Sequence, residues 1–444
     1  MTATMATRIL RSQYESSKSI SRRGFLKGMA AAGAALSLPS IIPAPALGAN
    51  GTVAPGNRIV MGFVGVNSQG MGNLSNFIEY PEVQVVAVCD VDRQILQKAK
   101  EFVDGEYGNQ ACHAYGDFRE LTRRGDIDAL CVCTPDHWHA LVGLDGIRHG
   151  KDMYIEKPLT LTIREGRLLS DEARRCGRVV QTGCQQRSGW EFRKACELVR
   201  NGRIGKIQRV IVGIPGNNKT CDPTWSPMPA PEGFDYDFWV GPAPLEPYHI
   251  QRCHYTFRFI LDYSGGQVTN WGAHHLDIAQ WGLGMDDSGP VEVSGRGEFP
   301  RTGLFTTATN VDFDCVYANG VVLSCRTGAK GGTTFIGTEG EVHVDRGVLQ
   351  TNPASLAKDA IGANEIRLYE SANHHEDFLS AVRTGRRPAA DVEIGHRSAT
   401  VCHLGNISML LGRKLRWDPN TERFAGDEEA NRMISRPARA PWGY

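Results

Sequence analysis

From Arg58 to Gln185 short apolar runs alternate with longer amphipathic stretches. "RIVMGFVGV" (58–66) predicts a strand, followed by a Gly-rich turn and a helix to Tyr80. "VQVVAVCDV" (83–91) predicts a second strand, with a helix through Lys100. "DALCVCTP" (128–135) and "DMYIEK" (152–157) each predict a strand with a helix after it. The second of these helices runs from about Thr162 to Cys176, and Thr162 with Glu165 forms a capping box at its start. "RVVQTGCQ" (178–185) closes the series. Near-continuous apolar strands alternating with helices predict an α/β fold, a doubly wound parallel sheet covered on both faces.

The period then changes. Residues 217–266 are rich in Pro, Gly and aromatics and read as long irregular loops. From Val291 to Val344 the strands are short and half-polar, which suits a mostly antiparallel open sheet with one covered face. Helices return near 376–383 and 397–411. The expected organisation is a leader over 1–49, a nucleotide-binding domain over 57–180, an α+β domain over 181–420 and a tail over 421–444.

The leader is legible by composition. "SRRGFLK" (21–27) precedes an Ala-rich apolar stretch from Met29 to Ile42, and "APALGA" (44–49) offers small residues to a peptidase. This is the layout of an export signal, and the paired arginines match the twin-arginine type. The apolar run is short for a bilayer span, which disfavours an anchor. The whole chain of 444 residues carries 49 basic and 49 acidic side chains; without the basic leader the remainder stands at about −5. No field of that sign gathers nucleic acid or anionic lipid. The 12 cysteines show no metal-type spacing, and Cys89, Cys131 and Cys133 fall inside apolar runs as small hydrophobes. No His/Cys/carboxylate spacing points to a metal.

"GFVGVNSQGMG" places Gly65, Asn67 and Gly70 at the three glycine positions of the dinucleotide fingerprint G-x-G-x-x-G. Asn stands where a glycine lets backbone approach a pyrophosphate; it tolerates positive φ, but its side chain takes space. A strand precedes, a helix follows, and Asp90 ends the next strand, placed to accept from a ribose 2′-hydroxyl. These features predict NAD or NADP. Asp90 favours NAD, while Arg93 is placed to serve a 2′-phosphate. "TPDHWHA" (134–140) lies at the carboxyl end of a later strand, where such sheets bind ligands, so Thr134, Pro135, Asp136, His137 and His139 are candidates for the cleft.

"EKP" (156–158) and "GGQVTNWGAHHLDIAQW" (265–281), behind a Rossmann half, resemble the glucose–fructose oxidoreductase, inositol dehydrogenase and rhizopine-catabolism family, Gfo/Idh/MocA. The resemblance runs from about Arg58 to Pro419 and implies NAD(P)-dependent oxidation or reduction of sugars and cyclitols. It also implies a homo-oligomer and a cis bond before Pro158. The family's catalytic lysine falls on Lys157, and its D-x-x-x-H-x-x-D helix falls on Asn270, His274 and Asp277. Asn270 departs from the pattern, because an amide takes up no proton. The i, i+4, i+7 spacing puts the three on one helix face. Lys157 and His274 are expected to share the proton of a carbinol, with Asp277 orienting the imidazole or binding a hydroxyl. Glu156 is expected beside the cofactor, paired with a base. Asn270, His275 and Trp239 are candidates for substrate contact, although His275 also fits simple packing and the Trp fits a loop pinned by its own aromatics. His374 and His375 are weaker substrate candidates. Two other readings stay open: glycoside cleavage by transient oxidation with the cofactor retained, and a non-catalytic sugar-binding protein with a decayed site.

Overall fold

The computed structural model describes residues 53–444, so the leader of 1–49 lies outside the described residues. Six strands form one all-parallel sheet: β1 (Ile59–Val64), β2 (Val83–Cys89), β3 (His113–Tyr115), β4 (Ala129–Val132), β5 (Asp152–Ile155) and β6 (Val180–Thr182). Their spatial order is β3-β2-β1-β4-β5-β6. The chain therefore winds outward in one direction from β1, then returns to lay β4 on β1's other side. At such a reversal the loops after β1 and β4 diverge and open a crevice at the carboxyl edge. β3 is not anticipated by the apolar pattern, because its three residues are exposed or only half-buried.

The connecting helices are α1 (Ser68–Ile78), α2 (Arg93–Tyr107), α3 (Phe118–Thr122), α4 (Asp136–Arg148) and α5 (Ile163–Cys176). Local chemistry fixes their ends. Asp92 caps α2 by accepting from the Gln94 and Ile95 amides, and Gly108 ends it in the left-handed region at φ 63°. The capping box of Thr162 and Glu165 is present at the start of α5.

The chain then enters α6 (Trp190–Arg200) and β7 (Ile207–Ile214), the latter hidden from pattern analysis by an exposed first half. β7 joins β8 (Glu292–Glu298), β9 (Asn310–Val316), β10 (Val322–Thr327), β11 (Gly332–Gly337), β12 (Glu341–Asp345), β13 (Val348–Asn352), β14 (Leu415–Asp418) and β15 (Arg423–Phe424). This nine-stranded sheet has the order β13-β12-β11-β7-β10-β9-β8-β14-β15 and is antiparallel throughout except for β7 against β10. After the short α7 (Tyr236–Val240) come α8 (Gln267–Asn270), α9 (Gly272–Leu283), α10 (His374–Thr384), α11 (Val392–Leu411) and α12 (Glu428–Arg432). α6, α9 and α11 supply one apolar layer against this sheet, with Leu198, Leu276, Phe313, Phe335 and Leu404 fully buried in it.

Between the two sheets runs the aromatic loop of 217–266. It is pinned by its own rings: Phe234, Trp239, Tyr248, Phe257, Phe259 and Tyr263 form a separate buried cluster. Residues beyond 421 also pack, with Trp442 edge-on to Trp138 at 4.8 Å between centroids. All 12 cysteines are free thiols, nine of them buried. Among the described residues no helix is long and apolar enough to cross a membrane.

Candidate active site

A cavity of about 470 Å³ opens at the carboxyl edge of the parallel sheet, under the aromatic loop. Gly65 lines it at φ 79°, so close to β4 that a Cβ would fall 2.7 Å from the Thr134 amide nitrogen. Gly70 does not line the cavity. Its role is contact, since a Cβ there would lie 1.9 Å from the Gly65 carbonyl oxygen, and α1 could not seat on the turn. Asn67 lines the cavity but does not use the positive φ that Asn tolerates. It sits at φ −89° as the N-cap of α1, with its side chain accepting from the Ser68 amide. The left-handed residue is Ser68, at φ 35°.

Asp90 also faces the cavity. Its carboxylate accepts from the Val66 amide at 3.0 Å and the Asp92 amide at 3.0 Å, which fixes both oxygens. Burial raises its pKa to about 6. Thr134, Pro135 and His139 lie on the opposite wall. The His139 ring nitrogens meet the Pro158 and Thr134 carbonyl oxygens, each at 2.8 Å, so this ring braces the cis Lys157–Pro158 bond against β4.

Glu156 is buried, and among the described residues it forms no ion pair with a basic side chain. Its carboxylate accepts from Asn73 at 3.0 Å, Gln69 at 3.2 Å and the Lys157 amide at 3.2 Å. Amides of α1 therefore hold the acid, and its neighbour Lys157 projects into the cavity. The Lys157 ammonium donates to Asn270 Oδ1 at 3.0 Å, while the Asn270 amide donates to Gln267 at 3.0 Å. Burial lowers the Lys157 pKa, opposed by Glu156 and Asp136.

The helix carrying the other candidates behaves differently from the expected single face. Asn270 ends α8, and α9 begins only at Gly272. Asn270 lines the cavity; His274, His275 and Asp277 do not. His274 stands behind Lys157, where burial and that ammonium hold its pKa well below the usual histidine value. Its Nδ1 is buried without a partner. His275 stacks on Trp271 at 6.1 Å and its carbonyl accepts from Thr333, so it belongs to the packing under the second sheet. Asp277 cannot orient the imidazole. It is fully buried, and its carboxylate is taken by Arg187, at 2.8 Å from Nε, and by Ser398 at 2.6 Å. Arg187, which also binds Asp286 at 2.7 Å, is a residue that nothing in the sequence pattern marks.

Other candidates are also structural. His137 donates from Nε2 to the Trp239 carbonyl at 3.0 Å, His374 spans Ser188 and the Thr182 carbonyl, and His375 reaches Asn73 at 3.1 Å. Trp239 does line the cavity, with its ring held against Tyr263 at 5.0 Å. Asp136 joins the wall, accepting from Ser264 at 2.5 Å. The loop adds Phe234, His254 and Arg258, which belong to none of the motifs read from the sequence.

Residues 59–184 match the family model described as "Oxidoreductase family, NAD-binding Rossmann fold", and residues 198–444 match "Oxidoreductase family, C-terminal alpha/beta domain". The chain belongs to the Gfo/Idh/MocA oxidoreductase family. Its Gfo/Idh/MocA fold superposes on GenD2 from gentamicin A biosynthesis in complex with NAD, at 19% identity and a TM-score of 0.60, covering 82% of this chain and 97% of that one. The aldose-aldose oxidoreductase from Caulobacter crescentus, complexed with glycerol, gives 16% identity and 0.58, covering 81% and 99%. Among curated proteins, glycosyl hydrolase family 109 protein 1 of Shewanella sp. (strain MR-4) and the alpha-N-acetylgalactosaminidase of Shewanella oneidensis are each 31% identical over 207 residues. The matched span is 42% of this chain and 44% of either relative. Residues 19–39 match the twin-arginine signal model. The nucleotide-binding half is an NAD-binding Rossmann domain. The residues present suit that cofactor: the close-packed Gly65 and Gly70 leave room over the turn, and Asp90 ends β2 with its oxygens already oriented.

Proposed function

We propose that this protein is an exported NAD(P)-dependent oxidoreductase acting on a CH–OH group of a sugar, cyclitol or sugar derivative, working outside the cytoplasmic membrane. The observation that carries this reading is the Lys157 ammonium, half-buried on the cavity wall and held at 3.0 Å by Asn270 Oδ1. Gly65, Asn67, Asp90, Thr134 and Pro135 would hold the cofactor, with Asp90 favouring the unphosphorylated ribose. The bound nicotinamide supplies the two-electron redox step. The chain's own groups manage the proton. Lys157, with its pKa lowered by burial, accepts the hydroxyl proton in oxidation and returns it in reduction. Asn270 Oδ1 accepts a hydrogen bond from either form of the amine, which keeps the lone pair turned to the substrate. His274, neutral and off the cavity wall, carries less of the chemistry than its sequence motif implies. The aromatic loop excludes water from the reacting atoms. Reduction of enzyme-bound NAD by a sugar panel, followed at 340 nm in the wild type and in Lys157→Met, tests this. Turnover that survives the substitution sinks it.

A second reading is supported by the curated relatives named for glycoside hydrolysis. The same lysine would then act in a transient oxidation, followed by elimination and re-reduction. Free sugar released with no net change in cofactor redox state distinguishes this from simple dehydrogenation.

A further inference from the structure

Arg258 is the one cavity-lining guanidinium among the described residues. It lies on the short 3-10 turn His254–Phe259, which begins with His254 held in the left-handed region at φ 53°. Its stem is fixed rather than swinging free. One terminal nitrogen donates to the Tyr255 carbonyl, and the guanidinium lies 4.1 Å from the Tyr255 ring centroid and 5.2 Å from that of Phe257. No carboxylate among the described residues forms an ion pair with it, although Asp136 is near enough to act on it electrostatically. Asp136 is already occupied by the Ser264 hydroxyl. Arg258 is also close enough to Lys157 to disfavour its ammonium form. The cavity wall thus carries Lys157 and Arg258 together with Asp136 and Glu156, and each acid is already hydrogen-bonded elsewhere, Asp136 to Ser264 and Glu156 to Asn73 and Gln69.

A partly buried guanidinium that forms no ion pair among the described residues, with Nε and Nη2 making no hydrogen bond there, is matched to a planar or tetrahedral anion. We propose that Arg258 is a substrate-specificity residue that binds an anionic group on the sugar, a carboxylate or a phosphate, so that the preferred substrates are acidic sugars. This rests on the oxidoreductase reading and deepens it. A place on the cavity wall within electrostatic reach of both Lys157 and Asp136 puts Arg258 with the substrate rather than the cofactor.

The test titrates the NADH-loaded protein with matched sets of neutral hexose, its uronate and its 6-phosphate in several stereochemical series, reading NADH fluorescence and then kcat/KM. The expected wild-type preference for the charged member in one series is on the order of 30-fold or more. Arg258→Gln removes that preference, Arg258→Lys restores part of it, and NADH affinity and melting temperature stay near wild type in both. Uronate over phosphate assigns a carboxylate, and the reverse assigns a phosphate. Equal or tighter binding of neutral members in every series overturns the proposal while leaving the oxidoreductase reading intact. So does an Arg258→Gln protein that keeps its sugar preference but loses NADH, because the guanidinium then serves the cofactor. Failure to bind NADH in the wild type removes both readings.

Discussion

Lys157 donates to the side-chain oxygen of Asn270 across 3.0 Å, joining the end of β5 to the end of α8. An amide at 270 leaves the ammonium without a counter-ion at its closest contact, and burial then lowers its pKa. The amine form of Lys157 becomes available below the pH of a free lysine. The rate of sugar oxidation is expected to rise with pH along a limb whose apparent pKa lies below about 10.4. Asn270→Asp adds a negative charge at that contact, favours the ammonium, and moves the limb upward by about 1 pH unit or more. A pH profile of kcat/KM for both proteins decides it; superimposed limbs mean that another group titrates.

Removing the amine itself is the coarser experiment. Lys157→Met is expected to lower kcat by roughly 10²–10⁴-fold, the usual worth of a positioned acid–base group. Bound NAD, measured after denaturation, should remain near wild-type occupancy. A protein that loses its nucleotide instead would assign Lys157 to cofactor binding.

Asp90 makes cofactor affinity depend on pH in the acid range. Its folded pKa, near 6, is above the ordinary carboxylate value. The ionised form is the acceptor for a ribose hydroxyl, so affinity is full above about pH 6 and is lost as pH falls through it, by no more than about tenfold per pH unit for one proton. Calorimetric titration with NAD from pH 5 to 8 reads this directly. Asp90→Asn should weaken binding at pH 8 and flatten the profile.

Asp277 is expected to act on stability. Asp277→Asn leaves a fully buried Arg187 with one partner, Asp286, instead of two. Loss of one side of such a pair costs about 3–5 kcal/mol, measurable as a shift in urea midpoint. An unshifted midpoint with lost turnover would return Asp277 to the chemistry.

Gly70→Ala tests the turn. A methyl group 1.9 Å from the Gly65 carbonyl forces α1 away from β1, at a cost of about 1–3 kcal/mol. NAD affinity should fall together with the melting temperature, and a stable protein with normal affinity would show that the turn relaxes freely.

The sequence was legible as local structure where nearby residues act on one another. The glycine turn, the acid ending β2, the capping box at Thr162 and the strand-end lysine each depend on residues within a few positions of one another. Asp277 and His275 lie off the cavity, because α9 is buried around most of its circumference, from Gly272 to Gly282. Periodicity marks a face only when one face meets water. The i, i+4, i+7 argument also assumed a helix running unbroken through residue 271. Glu156 was expected beside a base, but its partners Gln69 and Asn73 come from a helix some 80 positions earlier. Arg187 gains its meaning only from Asp277 and Asp286, 90 and 99 positions away, and Arg258 only from the cavity that distant elements close around it, which no local pattern encodes.

The sulfur chemistry of this fold suits its leader. Nine of the 12 thiols are sealed in the interior, and burial pushes groups such as Cys89, Cys196 and Cys402 well above the ordinary thiol pKa. No cystine has to form for the chain to reach its final shape. Folding therefore requires no oxidising compartment, which is compatible with the twin-arginine signal matched at residues 19–39.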